Sequence, residues 1–185
     1  DEVPPQGGFP APVLRSGEAP LTGATMVTSG GVDDFMGGVQ HAAQTCAIAG
    51  GDAFCWGRNE FGQAGLGGAS SVVARASPVV GGGGVDDLSA GGRHTCFVRG
   101  GEARCFGDNT QGQLGDGTNT MRPSATPLSM DLDVTAIDAG GEHTCVVVGG
   151  SEIHCWGDDS RGQLGSADAS GSSNPDPVAV ILPDP

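Results

Sequence analysis

The sequence predicts an all-β protein built from about three copies of one repeated unit, and three observations lead to this prediction. Glycine supplies 35 and proline 12 of the 185 residues, which is typical of short strands joined by tight turns. A unit of roughly fifty residues, the length range of propeller blades, recurs three times. Six cysteines fall in pairs, one pair per unit.

The charge balance and the hydropathy pattern exclude several classes of protein. Asp and Glu number 22 against 8 Lys and Arg, a net charge of -14, and this sign repels the phosphate backbones of nucleic acids. No apolar run reaches the roughly 20 residues of a membrane helix, so we expect no membrane span. Because no apolar leader follows Asp1, we expect any export signal to have been removed or never to have formed part of this chain.

The same anchor residues occur in each copy of the unit. The second copy contains, in order, His94, Thr95, Cys96, Gly100, Gly101, Cys105, Phe106 and Gly107. The third contains His143, Thr144, Cys145, Gly149, Gly150, Cys155, Trp156 and Gly157. The first contains His41, three inserted residues, Thr45, Cys46, Gly50, Gly51, Cys55, Trp56 and Gly57. A Gly-Gln-Leu-Gly or Gly-Gln-Ala-Gly segment follows at 62–65, 112–115 and 162–165.

These anchors predict the domain organisation. Residues 1–31 are rich in proline and glycine and are predicted to form an N-terminal arm. The repeats are predicted over about 32–80, 81–129 and 130–176. Residues 177–182 resemble the segments at 78–80 and 127–128, so they are predicted to form the first strand of a fourth unit, before a tail at 183–185.

The cysteine spacing predicts one disulfide in each unit. Cys46 and Cys55 are symmetric about Gly50-Gly51, a dipeptide that favours a type I′ hairpin. Counting outward from the turn places the two cysteines at a non-hydrogen-bonded pair, where Cβ atoms come closest. The same count pairs Cys96 with Cys105 and, across a three-residue turn, Cys145 with Cys155. Disulfides indicate an oxidising compartment.

The repeated polar residues and cysteines predict no metal or cofactor. Zinc ligands and redox-active pairs need much shorter cysteine spacings. Segment 108–117 resembles a calcium loop superficially but lacks the acidic alternation of such loops. His41, His94 and His143 could converge on a metal, yet a residue that recurs once per blade more often makes the same hydrogen bond in each, and we predict this structural role.

The aromatic residues Trp56, Phe106 and Trp156 each follow a cysteine and therefore point to the opposite face of the strand. Packing between blades is the predicted role, and a carbohydrate platform is the alternative. Nucleophile, phosphate-binding and zinc-protease motifs are absent from the sequence. The paired carboxylates at 33–34, 86–87 and 158–159 point to opposite sides of a strand. We therefore predict a protein that is not an enzyme.

The repeated pattern over residues 32–165 is similar to the repeats of the regulator of chromosome condensation family, in its disulfide-bearing bacterial form. The resemblance implies four-stranded blades arranged as a β-propeller, and activities that act through protein surfaces, from nucleotide exchange on a GTPase and chromatin contact to secreted inhibition of β-lactamases. The acidic charge and the disulfides argue against chromatin. Closed propellers have about four to eight blades, so we expect a longer chain or self-association to complete the structure.

The predicted function is that of an exported, non-enzymatic protein, secreted or at the cell surface. It would act in protein–protein recognition or self-assembly through blade edges and loops, as a homo-oligomer or polymer. Two alternatives stay open: a structural subunit of an extracellular filament or surface layer, and a carbohydrate-binding module of an extracellular enzyme.

Overall fold

The computed structural model describes residues 12–15, 17, 19–31, 44–166 and 171–181. Across these ranges the backbone forms twelve β-strands and no helix, so nothing in the described ranges is a helix that could cross a membrane. The prediction of an all-β fold is confirmed.

The strands form three four-stranded antiparallel sheets, which we call the first, second and third blades. The first blade contains β1 (Ala24–Gly30), β2 (Gln44–Ala49), β3 (Asp52–Asn59) and β4 (Ser70–Gly83). The second contains β5 (Asp87–Ala90), β6 (His94–Arg99), β7 (Glu102–Gly107) and β8 (Arg122–Pro127). The third contains β9 (Val134–Ala139), β10 (His143–Val148), β11 (Glu152–Gly157) and β12 (Asn174–Ala179). Within each blade the strands lie side by side in chain order.

The central hairpin of each blade has the register that the cysteine spacing predicts. Cys46 lies opposite Cys55, and the other two pairs are aligned in the same way. All three disulfides are present. At the first turn Gly50 and Gly51 have φ angles of 63° and 83°, a region that glycine enters without steric cost. Each cross-link therefore sits at the middle of a blade, four residues from the turn.

The core lies between the blades, because side chains alternate between the two sides of a strand. We call the side of each blade that carries the disulfide its back face and the other side its front face. Cys46 on the back face of the first blade packs with Phe97 and Phe106 from the front face of the second. Cys96 on the back face of the second blade packs with Trp156 from the front face of the third. The back faces of the first and second blades thus each pack against the blade that follows.

The first strand of the first blade lies inside the segment predicted to be an N-terminal arm. β1 pairs with β2 and places Thr28 opposite Cys46. The connection between these strands covers residues 31–43, whereas the equivalent connections cover 91–93 and 140–142. The predicted boundary at residue 32 was wrong because the anchor motif does not show this longer connection.

The last described strand closes the third blade and does not begin a fourth. β12 pairs with β11, with Val178 opposite Cys155. The segments that it resembles in sequence lie within β4, at 78–80, and at the last residue of β8 and the one after it, at 127–128. Both β4 and β8 are themselves outer strands. The similarity between the three segments was real, but their predicted place in the unit was wrong.

Removing one disulfide tests its contribution to stability. Replacing both Cys96 and Cys105 with alanine frees a loop closed by residues nine apart in sequence, and we expect the free energy of unfolding to fall by about 2–3 kcal/mol. Urea denaturation followed by far-ultraviolet circular dichroism measures the change. A loss below about 0.5 kcal/mol would show that the hairpin turn alone fixes the register.

Candidate functional site

Histidine recurs at the start of the central hairpin, and in the second blade it binds the next blade. His94 is fully buried, and its Nε2 lies 2.8 Å from Oγ1 of Thr144. Since Thr144 donates its hydroxyl hydrogen to the main-chain carbonyl of Gln113 at 2.9 Å, His94 must be the donor to Thr144. Burial first, and the nearby His143 second, lower the pKa of His94 to about 3. The imidazole is therefore neutral, with its proton on Nε2.

The carbonyl oxygen of Gln113 is the meeting point of the second and third blades. It accepts the hydroxyl of Thr144 and, at 2.9 Å, the indole Nε1 of Trp156. Both donors lie on the front face of the third blade, opposite each other in the hairpin register. We call this set of contacts the inter-blade hydrogen-bond set.

The first and second blades are joined by a variant of the same set. Thr95 donates to the carbonyl of Gln63 at 2.9 Å. Phe106 stands where the third blade has Trp156, and it supplies apolar packing without an indole donor. The buried amide of Gln44 donates to the carbonyls of Gly91 and His94, at 2.8 and 3.0 Å.

Gln44 occupies the position that sequence reasoning gave to His41. Gln44 lies opposite Gly57, as His94 lies opposite Gly107 and His143 opposite Gly157. His41 lies outside the described residues. The position of Gln44 immediately before Thr45-Cys46 indicates its role. Sequence reasoning missed this role because it assigned the position to the repeated histidine.

The three predicted aromatic residues have different environments. Phe106 and Trp156 are fully buried between blades, so neither ring is available to a sugar. Trp56 is partly exposed, because no described blade lies in front of the first one.

The loops between the third and fourth strands are closed by their own side chains. The Oδ1 atoms of Asn59, Asn109 and Asp159 accept the main-chain N–H five residues later, at 2.9, 2.9 and 3.0 Å. In segment 108–117 the carboxylate of Asp116 accepts hydrogen bonds from Asn109, Thr118 and Arg122. Although burial raises the pKa of Asp116, the hydrogen bonds from Thr118 and Arg122 hold it below its usual value. Its oxygens already have donors, and the described ranges contain no group of three metal-ligating side chains.

The back face of the third blade is the one back face that no described blade covers. The cross-strand pair next to the disulfide on this face is Val147 and Ile153. Ile153 is 38% exposed. The corresponding residues of the second blade, Val98 and Ala103, are 2% and 3% exposed. We call the surface formed by Asp138, His143, Cys145, Val147 and Ile153 the open back face.

The polar groups of the open back face match groups that are used in the other interfaces. Asp138 lies at the register position of Ser89, whose hydroxyl accepts the N–H of Ala139 in the next blade at 3.0 Å and donates to Oδ1 of Asp138 at 3.1 Å. His143 lies at the position of His94. Within the described residues, neither the ring of His143 nor the carbonyl of Gln163 has a hydrogen-bond partner.

A hollow of about 590 Å³ adjoins this face and is lined by Glu142, His143, Asp158, Arg161 and neighbouring residues. Burial raises the pKa of Asp158, but hydrogen bonds from Ser160 and Gln163, with a contribution from His143, outweigh it and lower this pKa overall. Asp158 is therefore an anion beside His143 at neutral pH.

The stacked four-stranded blades and their repeated inter-blade contacts define a β-propeller repeat protein. Comparison with family models identifies regulator of chromosome condensation (RCC1) repeats at residues 85–113 and 134–163, and a second RCC1 repeat model matches residues 101–147. The matched residues lie in the second and third blades, which are therefore similar to RCC1 repeats. No curated protein matches it.

Solved structures share the fold. Prp20p from Saccharomyces cerevisiae is 17% identical, with a TM-score of 0.67 over 78% of this chain and 39% of that protein. Yeast RCC1 (Prp20) bound to Kap60 is 18% identical, with a TM-score of 0.67 over 78% of this chain and 38% of that protein. Human WBSCR16 is 20% identical, with a TM-score of 0.66 over 81% of this chain and 39% of that protein. The chain spans about two-fifths of the length of these proteins.

Replacing His94 tests its buried neutral state. Because its pKa lies near 3 in the folded protein and near 6.5 when unfolded, its contribution to stability is complete above about pH 6.5 and is lost as the pH falls toward 3. His94→Gln uses the residue that the first blade has at this position. We expect the stability difference between native protein and variant to narrow by about 1.4 kcal/mol per pH unit between pH 6 and 4.5, measured by urea denaturation. Parallel stability curves would contradict the assignment.

Proposed function

We propose that this chain is an exported, non-enzymatic repeat protein that recognises a protein partner, or another copy of itself, through the open back face of its third blade. The carrying observation is the exposure of this face, since the same face of the first and second blades is buried against the next blade.

The chemistry of the face favours a protein partner. Val147, Ile153 and the Cys145–Cys155 disulfide form an apolar centre. His143 and the Gln163 carbonyl lie around it, with Asp138, whose Oδ1 also accepts the hydroxyl of Ser89 in the second blade. An apolar centre with a polar rim is the usual arrangement of protein interfaces. The polar groups present both acceptors and an imidazole, which suits the main-chain and hydroxyl groups of another strand.

Similar proteins support this class of function. Prp20p is described with its binding to Gsp1p and histones, and yeast RCC1 as bound to Kap60. Those partners belong to those proteins. What supports the present proposal is that blades of this kind serve as surfaces for protein binding, whereas the net charge of -14 does not suit a nucleic acid.

Export is proposed from the disulfides. All six cysteines are paired within the chain, and such pairs persist in oxidising compartments. We expect alkylation of the denatured protein, isolated from its natural source without reductant, to label no thiols. Mass spectrometry that found six alkylated cysteines would contradict export.

A site-specific cross-link tests recognition by the open back face. A photoreactive amino acid placed at Ile153 should give a cross-linked product of discrete mass when the protein is irradiated among the extracellular proteins of its source. The matched control is the same group at Val72, which is 59% exposed on the outer strand of the first blade. We expect no discrete product at position 72, and equal products at both positions would overturn the proposal.

A further inference from the structure

The front face of the first blade is covered by a segment of the chain that precedes β1. We infer that this segment is a removable cap, and that its displacement allows the open back face of a second copy of this chain to bind there. This inference rests on the proposed function of the open back face and names its partner.

The front face of the first blade carries the same kind of donors that bind the second and third blades to their predecessors. Thr45 and Trp56 lie opposite each other in the register, as Thr144 and Trp156 do in the third blade. Thr144 and Trp156 both donate to Gln113. Within the described residues Thr45 and Trp56 have no such acceptor, while the carbonyl of Gln163 at the other end of the molecule has no donor.

Three residues of the N-terminal segment, Leu14, Arg15 and Leu21, hold it against the first blade, and we call them the cap. Leu14 and Arg15 pair with Ala76 on the outer strand β4, and the side chains of Arg15 and Leu21 contact the front face. The carbonyl of Leu14 accepts the N–H of Ala76 at 3.0 Å. The guanidinium of Arg15 lies 4.8 Å from the centre of the Phe54 ring. Leu21 packs on the buried cluster of Ala49, Phe54 and Ala76.

The cap lies where the other front faces carry large side chains. Ala47 and Ala49 stand at the register positions that hold Phe97 and Arg99 in the second blade and Val146 and Val148 in the third. The small side chains leave space above the sheet. The chain fills this space with its own N-terminal segment, so the blade is not left with an exposed apolar front.

The same difference in size makes the two ends of the molecule complementary. In the first interface the large front residue Phe97 and the small back residue Ala53 belong to one buried cluster. At the open back face the back residue is the large one, because Ile153 occupies the position of Ala53 and Ala103. A large back residue requires a small front residue, and Ala47 and Ala49 supply it beside the ring of Phe54, which lies opposite Ala47 on the same face. This match selects a second copy as the occupant.

The resulting contact joins different surfaces of the two copies. The incoming front face supplies Thr45 and Trp56, and the receiving back face supplies Gln163, His143 and Ile153. Such a head-to-tail contact is heterologous, so it propagates into a filament or closes into a ring, depending on the rotation between copies.

Charge substitution in the cap tests this inference. The double variant Arg15→Glu, Leu21→Asp replaces the two side chains that pack on the front face. We expect the dimer dissociation constant of this variant to be at least about tenfold lower than that of the native chain, because the native front face is free only when the cap is displaced. Sedimentation velocity over a concentration series measures this change. Adding Ile153→Asp to the same protein should return it to the monomer, whereas adding Val72→Asp, on an exposed outer strand, should not.

A second variant and a spectroscopic signal guard against misfolding of the double variant. Leu21→Ala removes cap packing without adding charge and should give a smaller shift in the same direction. In a Trp156→Phe background, which uses the residue found at position 106, Trp56 is the sole indole, and its quenching by acrylamide should fall as copies assemble.

The outcomes separate this inference from the proposed function. If both cap variants fold, shown by circular dichroism, and do not associate more strongly than the native chain, the cap is not inhibitory and the inference fails. A discrete cross-link from Ile153 to a different protein in the same series would leave recognition by the open back face intact while removing the second copy as its partner. Assembly that Ile153→Asp does not reverse would also overturn the inference.

Discussion

The carbonyl oxygen of Gln113 determines how the second and third blades fit together. It accepts two donors from one face of the third blade, Thr144 and Trp156, in a region where both donors are fully buried. Leaving any of these groups unpaired away from water would cost about 1–3 kcal/mol each. The distance and the angle between the two sheets are therefore fixed by polar atoms, and the apolar side chains fill the space that these atoms define.

This arrangement explains why the glycines at the ends of the hairpins are required. A Cβ atom on Gly157 would lie 2.5 Å from the carbonyl of Glu142 and 3.2 Å from the Cα of Gln113. Any larger residue would clash with the main chain at Glu142 and His143 and would crowd the Cα of Gln113. Close approach of the backbone, in addition to turn formation, is thus part of the inter-blade interface.

The sequence was sufficient to predict the β-blades, the hairpin register and the three cysteine pairs, because each depends on residues less than about fifteen positions apart and on the two-residue period of a strand. It was not sufficient for the ends of the units. β1 has no anchor residue, and residues 31–43 separate it from β2. The role of Gln44 was also missed, since a hydrogen bond to Gly91, 47 positions away, follows only from the stacking of blades. The cap on the first blade depends on Ala47 and Ala49 being small, which no local pattern reveals.

The side chains at the position before each Thr-Cys pair connect neighbouring blades. Gln44, His94 and His143 stand at one register position, and the contacts of the first two reach only the blade that follows. No interface depends on residues two blades away among the clusters that form the core. A stretch of coding sequence for one unit could therefore be duplicated or deleted in frame, and the new neighbours would inherit donors and acceptors that already match. Variation in the number of blades therefore keeps the polar contacts, while the sizes of the facing apolar side chains, such as Ile153 at the position of Ala103, determine which blades fit side by side.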